Sequence, residues 1–452
     1  MTMQALDFQD LPRLDRDVAR AHAALVRWRT QLALDPEAHA EEEPLAAFRH
    51  IAGKRSYEIL SGHQESVHAP LSLGLARWVA HLTEVRVVRE LDVAWARVAA
   101  AKKANAFPEV QRVSWRDAWR GVVQARSREE AIVWLDSAAG CGPELATVER
   151  ERNAHRHEVA RRLGAEDAWS LATGLQRSAV EVGATELLAA THDVWRMVQK
   201  EACTTNETAR ALPVDAIRLA VARDAPEGWP AHLTTRWLAE LFPRFGEGLS
   251  LEIGSLPAPV GASSFARALA AFGFALRVAG PAASLPFALA RSPNFVDAHR
   301  FAAVFAALSA SDAFQRRALG NTARIAAAQT RALWRTLLFD VRLSCVRVLV
   351  ARDEDRFEEL TTELCGTPMP NALAGAWPIA RDDEAARALA TLTWLPLARD
   401  LVERFDVDWF RNPRAAIYLR ARASGPAWES AAEVDTGAAA RSLALAFEEK
   451  LA

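Results

Sequence analysis

Apolar residues recur at the spacing of a helix face along almost the whole chain, which argues for helices and against a fold built on a large sheet. Leu14 to Leu34 predicts a first amphipathic helix ended near Pro36. Glu43 to Leu60 predicts a second, and Ala69 to Ala104 a long third with Trp78 and Trp95 on its apolar stripe. Further helices are predicted over about 113–137, 143–163, 184–203, 206–222 and 231–243. After a break they resume from a Ser263 or Ser264 cap to about Val278, then over about 294–309, 312–351, 382–405, 409–424 and 437–450. Strand signal is confined to Leu249–Ile253, which alternates between flanking glycines. The expected fold class is all-α, with a small β element near 248–254.

Size and charge bound the rest. The chain has 452 residues, 50% of them apolar, enough to bury a large core as one helical body or two fused halves. The net charge of −2 comes with no basic block, which argues against nucleic-acid or membrane-surface partners. Four cysteines occur far apart and none forms a CxxC, the pattern of reduced cytosolic thiols. Met1-Thr2-Met3-Gln4 has no basic or apolar leader character, and no apolar run approaches membrane-spanning length. The expected location is cytoplasmic. Gly/Pro-rich stretches at about 244–262 and Cys365–Asp382 read as structured loops, and no internal repeat is evident.

The segment from Leu249 to Phe314 carries the functional argument. It holds the octet Ala270-Ala271-Phe272-Gly273-Phe274-Ala275-Leu276-Arg277, then a Pro-containing loop, then Asn294-Phe295-Val296-Asp297-Ala298-His299. Downstream lies Asp408-Trp409-Phe410-Arg411-Asn412-Pro413, where Pro413 fits the first turn of a helix capped by Asn412. This order resembles the thimet oligopeptidase and oligoendopeptidase group of zinc peptidases, whose active members carry H-E-F-G-H-A-L-H on the first of these helices. The frame residues Phe272, Gly273, Ala275 and Leu276 match. The places of the two histidines and the glutamate are held by Ala270, Phe274 and Ala271. Two histidines one turn apart share a zinc ion, and the intervening glutamate activates its water. Methyl and phenyl groups can do neither. The third-ligand position falls on Asp297 or on His299, depending on the alignment. The oxyanion tyrosines that the resemblance implies are missing as well, because no tyrosine occurs from 58 to 417.

Other candidates read as structural. His63 and His68, and His155 and His157, have poor spacing for a shared metal, and Arg152 and Arg156 suggest a solvated face. His192 reads as a core histidine. Cys141, in a glycine-flanked turn ahead of a helix, is the one thiol placed for acidification. Trp115 and Trp119 read as core, or as the wall of an aromatic groove.

The resemblance implies an oligopeptidase-like ellipsoid with a central cleft, divided into an N-terminal helical half (1–205) and a C-terminal half (206–452). It leads to the expectation of a catalytically inactive peptidase-like protein, without metal or other cofactor, that binds a peptide or protein partner such as an active paralogue or another copy of itself. Two alternatives stay open: an enzyme of different chemistry using Arg277, Asp297 and His299 in the old cleft, and a purely structural, oligomer-forming protein.

Overall fold

Side-chain caps set the limits of many helices. Ser114 accepts from the Asp117 amide, Ser127 from Glu130, Ser311 from Phe314 and Thr322 from Ile325, so four helices start where a hydroxyl satisfies an orphan amide. The computed structural model describes residues 11–62, 69–104, 112–173, 177–203, 212–221, 227–230, 233–254, 256, 261–376, 384–427 and 434–451. They form an all-α architecture of long and short helices.

The first helix, Leu11–Leu34, buries Leu14, Val18, Ala21, Leu25, Trp28 and Leu32. Their spacing makes one stripe, which packs on the 32-residue helix Ala69–Ala100. These two helices, with residues between them such as Leu45, Ile51 and Leu60 and with Ala288, build a core of their own around Trp28 and Trp78. A larger core runs through the rest of the chain, from Ala99 to Leu451. Trp78 ties the first core to the loop beyond residue 290, because its indole donates to the Arg291 carbonyl at 2.8 Å.

Several boundaries depart from expectation. The predicted second helix divides into a short 3-10 turn, Ala46–Phe48, and the helix Lys54–Ser61, with Gly53 extended between them. The break expected near Cys141 is absent: Arg128–Arg162 is one helix of 35 residues with Pro143 inside it. Gly142 is needed there, since a Cβ on it would lie 2.0 Å from the Ala372 carbonyl oxygen. The actual break falls earlier, at Ala125–Ser127, where Ser127 starts the new helix. The cap of the octet helix is Gly261 rather than Ser263 or Ser264, both of which lie inside it.

The small β element expected near 248–254 is also overturned. Leu249–Ile253 forms no strand. Its alternation reflects Leu249, Leu251 and Ile253 reaching the core from an irregular segment that follows Gly248, at φ 76°. Among the described residues the only ladder joins Lys103–Ala104 to Arg112–Val113.

The two motif segments meet in one aromatic cluster. Phe272 lies 5.3 Å from Phe305, centroid to centroid, and Phe305 lies 5.8 Å from Trp409. Phe242 packs against Phe272 at 4.8 Å with the rings tilted by 30°, and Phe410 meets Phe314 edge to face at 5.1 Å. Offset and edge-on pairs of this kind add to simple burial. As expected, Pro413 opens a helix and the Asn412 side chain caps it by accepting from Arg414. One described helix, Ala262–Ala279, is long and apolar enough to cross a membrane by mean hydropathy (1.2), but 67% of it is buried inside the protein, as in any core helix.

Candidate functional site

The octet lies on the helix Ala262–Ala279, which packs along Val296–Ser309 more extensively than on any other element. Arg267 and Phe274, seven residues apart, share a face of this helix. Both line a cavity of about 1000 Å³, and Ala270 and Ala271 occupy the turn between them. The cavity is bounded on one side by the helices Leu11–Leu34, Ala69–Ala100, Trp115–Gln124 and Arg128–Arg162. On the other it meets Arg267, Phe274, Pro293, Phe295 and Arg347.

Phe274 is wedged between two rings, 5.1 Å from His299 and 5.7 Å from Phe295. Phe295 has a left-handed backbone, φ 55°, at the start of the Val296–Ser309 helix. A bulky residue held in this region stores on the order of 1–3 kcal/mol of strain, a feature concentrated at ligand clefts.

The side chains do not fit a zinc ion. Ala270, Ala271 and Phe274 offer no donor atom, and the phenyl ring of Phe274 fills space beside His299. Among the described residues no group of three or more His, Cys, Asp or Glu side chains could hold a metal.

Arg277, Asp297 and His299 were expected as a polar cluster in the cleft, and none of them lines the cavity. Arg277 is buried and donates to the carbonyls of Ala423 at 3.1 Å and Gly425 at 3.3 Å. Asp297 lies 3.6 Å from Arg277 and 3.4 Å from Arg300. Arg277 lies one turn beyond Phe274, nearer the end of the helix, and its guanidinium is drawn to the carbonyls at the end of Pro413–Ser424. Arg277 and Asp297 brace the fold, and His299 packs against the Phe274 ring.

The cavity wall instead holds arginines that periodicity did not single out as a group, beside tryptophans that it did. Arg29, Arg116, Arg152, Arg267 and Arg347 contribute to it, with Asp92 as the one acid. Arg152 is buried, donating to Asp92 at 2.7 Å and to Glu149 at 3.3 Å. Arg156 pairs with Glu84 in the interior, so the face expected to be solvated is a buried ionic network. Burial pushes the Glu149 carboxyl up, opposed by Arg152 and Arg156. Burial also pushes Asp340 up, against the opposing pull of Arg267, Arg347 and Arg387. Trp115 and Trp119, 5.6 Å apart and edge to face, both border the cavity, as does Trp95.

The remaining candidates take structural roles. His157 Nδ1 accepts from the Ala168 amide at 3.1 Å, while His155 is exposed. His192, only part-buried, lies 3.1 Å from Glu363. Cys141 is buried in mid-helix, without the helix N-terminus expected beside it. Cys345 and Cys365 are buried, and that burial pushes both thiols up to about 12, far from a reactive thiolate. His63 and His68 lie outside the described residues.

No protein-family profile and no curated protein matches the sequence. Among solved structures, the chain is similar to the crystal structure of oligoendopeptidase-F from Enterococcus faecium, with 8% sequence identity and a TM-score of 0.53. The likeness covers 99% of this chain and 98% of that one. The fold is therefore oligoendopeptidase-like over its whole length.

Proposed function

We propose that the chain is a non-catalytic relative of the oligoendopeptidases, whose cleft has become a binding site for a peptide or protein partner. The observation that carries this reading is the turn of the Ala262–Ala279 helix between the cavity-lining Arg267 and Phe274. It holds Ala270, Ala271 and Phe274 where the resemblance calls for two ligands and a base, in a chain whose fold is oligoendopeptidase-like. A cavity of about 1000 Å³ is in the range that encloses a ligand. The division into halves 1–205 and 206–452 belongs to the same reading, because the wall draws on His22 to Arg152 from the first and on Arg267 to Arg347 from the second. A cytoplasmic setting, and a partner that is an active paralogue or a second copy, are parts of the proposal.

An enzyme of different chemistry built on Asp297 and His299 gains no support from their positions, since Asp297 is committed to Arg277 and Arg300. The direct test is metal content by mass spectrometry of the purified protein, together with cleavage of a mixed peptide library. The expected result is no stoichiometric zinc and no metal-dependent cleavage. Either one, if found, overturns the non-catalytic reading.

A further inference from the structure

The cavity wall is electrostatically one-sided. Five arginines reach it against one aspartate. Including the groups just behind the wall, Glu149 answers Arg152, and Asp340 lies among Arg267, Arg347 and Arg387. Asp92 also lies 3.8 Å from Arg29, and among these described residues the guanidiniums still outnumber the carboxylates. An arginine cannot shed its charge at any physiological pH. The excess is therefore permanent, and in a recess partly shielded from solvent it acts through a dielectric well below that of water. It also stands apart from the chain as a whole, whose net charge is −2.

The same wall carries large rings. Trp95, Trp119, Phe274 and Phe295 line it and are only partly buried, so part of each ring is open to a guest. Guanidiniums recognise carboxylates in a planar, two-pronged geometry, and aromatic walls take up apolar side chains. We propose that the cavity receives an acidic peptide, its carboxylates held by Arg29, Arg267 and Arg347 and its apolar side chains held against Trp119 and Phe274. This rests on the reading of the cleft as a peptide-binding site and adds the class of peptide. A single-stranded nucleic acid also combines negative charge with stacking faces. It needs a cationic track along its backbone, however, and here the cations converge on one enclosed recess in a chain without a basic block.

The test is fluorescence anisotropy on the full chain with three short labelled peptides that share their apolar residues. One carries Asp and Glu, one Lys and Arg, and one Ser and Gln. A short single-stranded DNA serves as a fourth probe. The acidic peptide is expected to bind about tenfold or more tightly than the basic one, with an advantage that shrinks as salt rises. Arg267→Gln, at an exposed position, is expected to weaken acidic-peptide binding several-fold and leave the neutral peptide unchanged. Arg29→Gln is the second variant, and thermal melts check that both fold. Equal affinity for acidic and basic peptides overturns the charge inference and leaves peptide binding standing. Binding of no peptide overturns both. Tighter binding of the DNA, or acidic-peptide binding indifferent to both variants, overturns the assignment to this cavity.

Discussion

Gly273 and Phe301 touch backbone to backbone: a Cβ built on Gly273 would lie 2.5 Å from the Phe301 carbonyl oxygen and 2.8 Å from the Phe305 ring. The helices Ala262–Ala279 and Val296–Ser309 approach this closely because the octet has a glycine in its middle. Neither obstacle is the loose end of a flexible chain. Gly273→Ala is therefore expected to force the helices apart, at about 1–3 kcal/mol. Gly140 supplies the control, since nothing lies within 4 Å of its added Cβ in the helix Arg128–Arg162. Gly140→Ala should gain up to about 1 kcal/mol from helix propensity. Urea unfolding of the two variants reads both signs, and a Gly273→Ala protein as stable as the parent would refute the close approach.

Asp15 caps an element far away in sequence. Its two carboxylate oxygens accept from the Phe287 and Ala288 amides, each at 2.8 Å, at the start of the short helix Phe287–Ala290. Asp15→Ala removes the side-chain acceptor that both amides share, a loss of roughly 1–2 kcal/mol. The first helix would then separate more readily from the loop that closes one side of the cavity. Hydrogen exchange should show faster exchange at Phe287 and Ala288 in the variant, and unchanged rates there would discount the cap.

What the sequence made legible follows the reach of its signals. The octet helix and the Asn412–Pro413 turn could be read because each depends on neighbours within a few residues: frame residues one turn apart, or a cap and the proline beside it. The cavity was not legible, because His22, Trp119, Arg152, Arg267 and Arg347 come together from five helices, and no periodicity within one helix reports on another. Arg267 had a usable signal, its seven-residue spacing from Phe274, which puts both on one face. Arg152 and Arg156 misled because arginine usually marks solvent; their partners Asp92, Glu149 and Glu84 lie on that helix or across the interface. Cys141 misled for a related reason. Glycine and proline ordinarily end helices, but here Gly142 permits contact with the Ala372 carbonyl.

Arg277 separates bracing from binding. It is 4% exposed, donates to two carbonyls and faces Asp297. Arg277→Leu takes that donor from the carbonyls and from Asp297, which keeps Arg300, and the loss of a buried arginine's hydrogen bonds costs about 2–3 kcal/mol. Asp297→Asn keeps a polar group beside Arg277 and should cost less. Neither residue lines the cavity, so any folded fraction of each variant should bind peptide as the parent does. Denaturation midpoints set beside peptide Kd values check this: a selective loss of affinity in the stable Asp297→Asn protein would return the cluster to the binding site.

His22 makes stability depend on pH with a definite sign. Its ring lies 4.9 Å from Trp78, 5.6 Å from Phe287 and 6.2 Å from Phe295. Burial first, then the charges of Arg291 and Arg29, lowers its pKa from 6.5 to about 4. The folded protein therefore resists protonation until about pH 4, whereas the unfolded chain takes up the proton near pH 6.5. Between those values the unfolded state holds more protons, so stability rises with pH and is lost on acidification. At about 1.4 kcal/mol per pH unit of separation, the contribution is at most roughly 3 kcal/mol, and less because the ring is only partly buried. His22→Gln removes the titrating group. Urea unfolding at pH 7 and at pH 5 should show the parent losing more stability than the variant, by up to about 2 kcal/mol. Equal losses in the two proteins would mean that the histidine is free to take up its proton in the folded state.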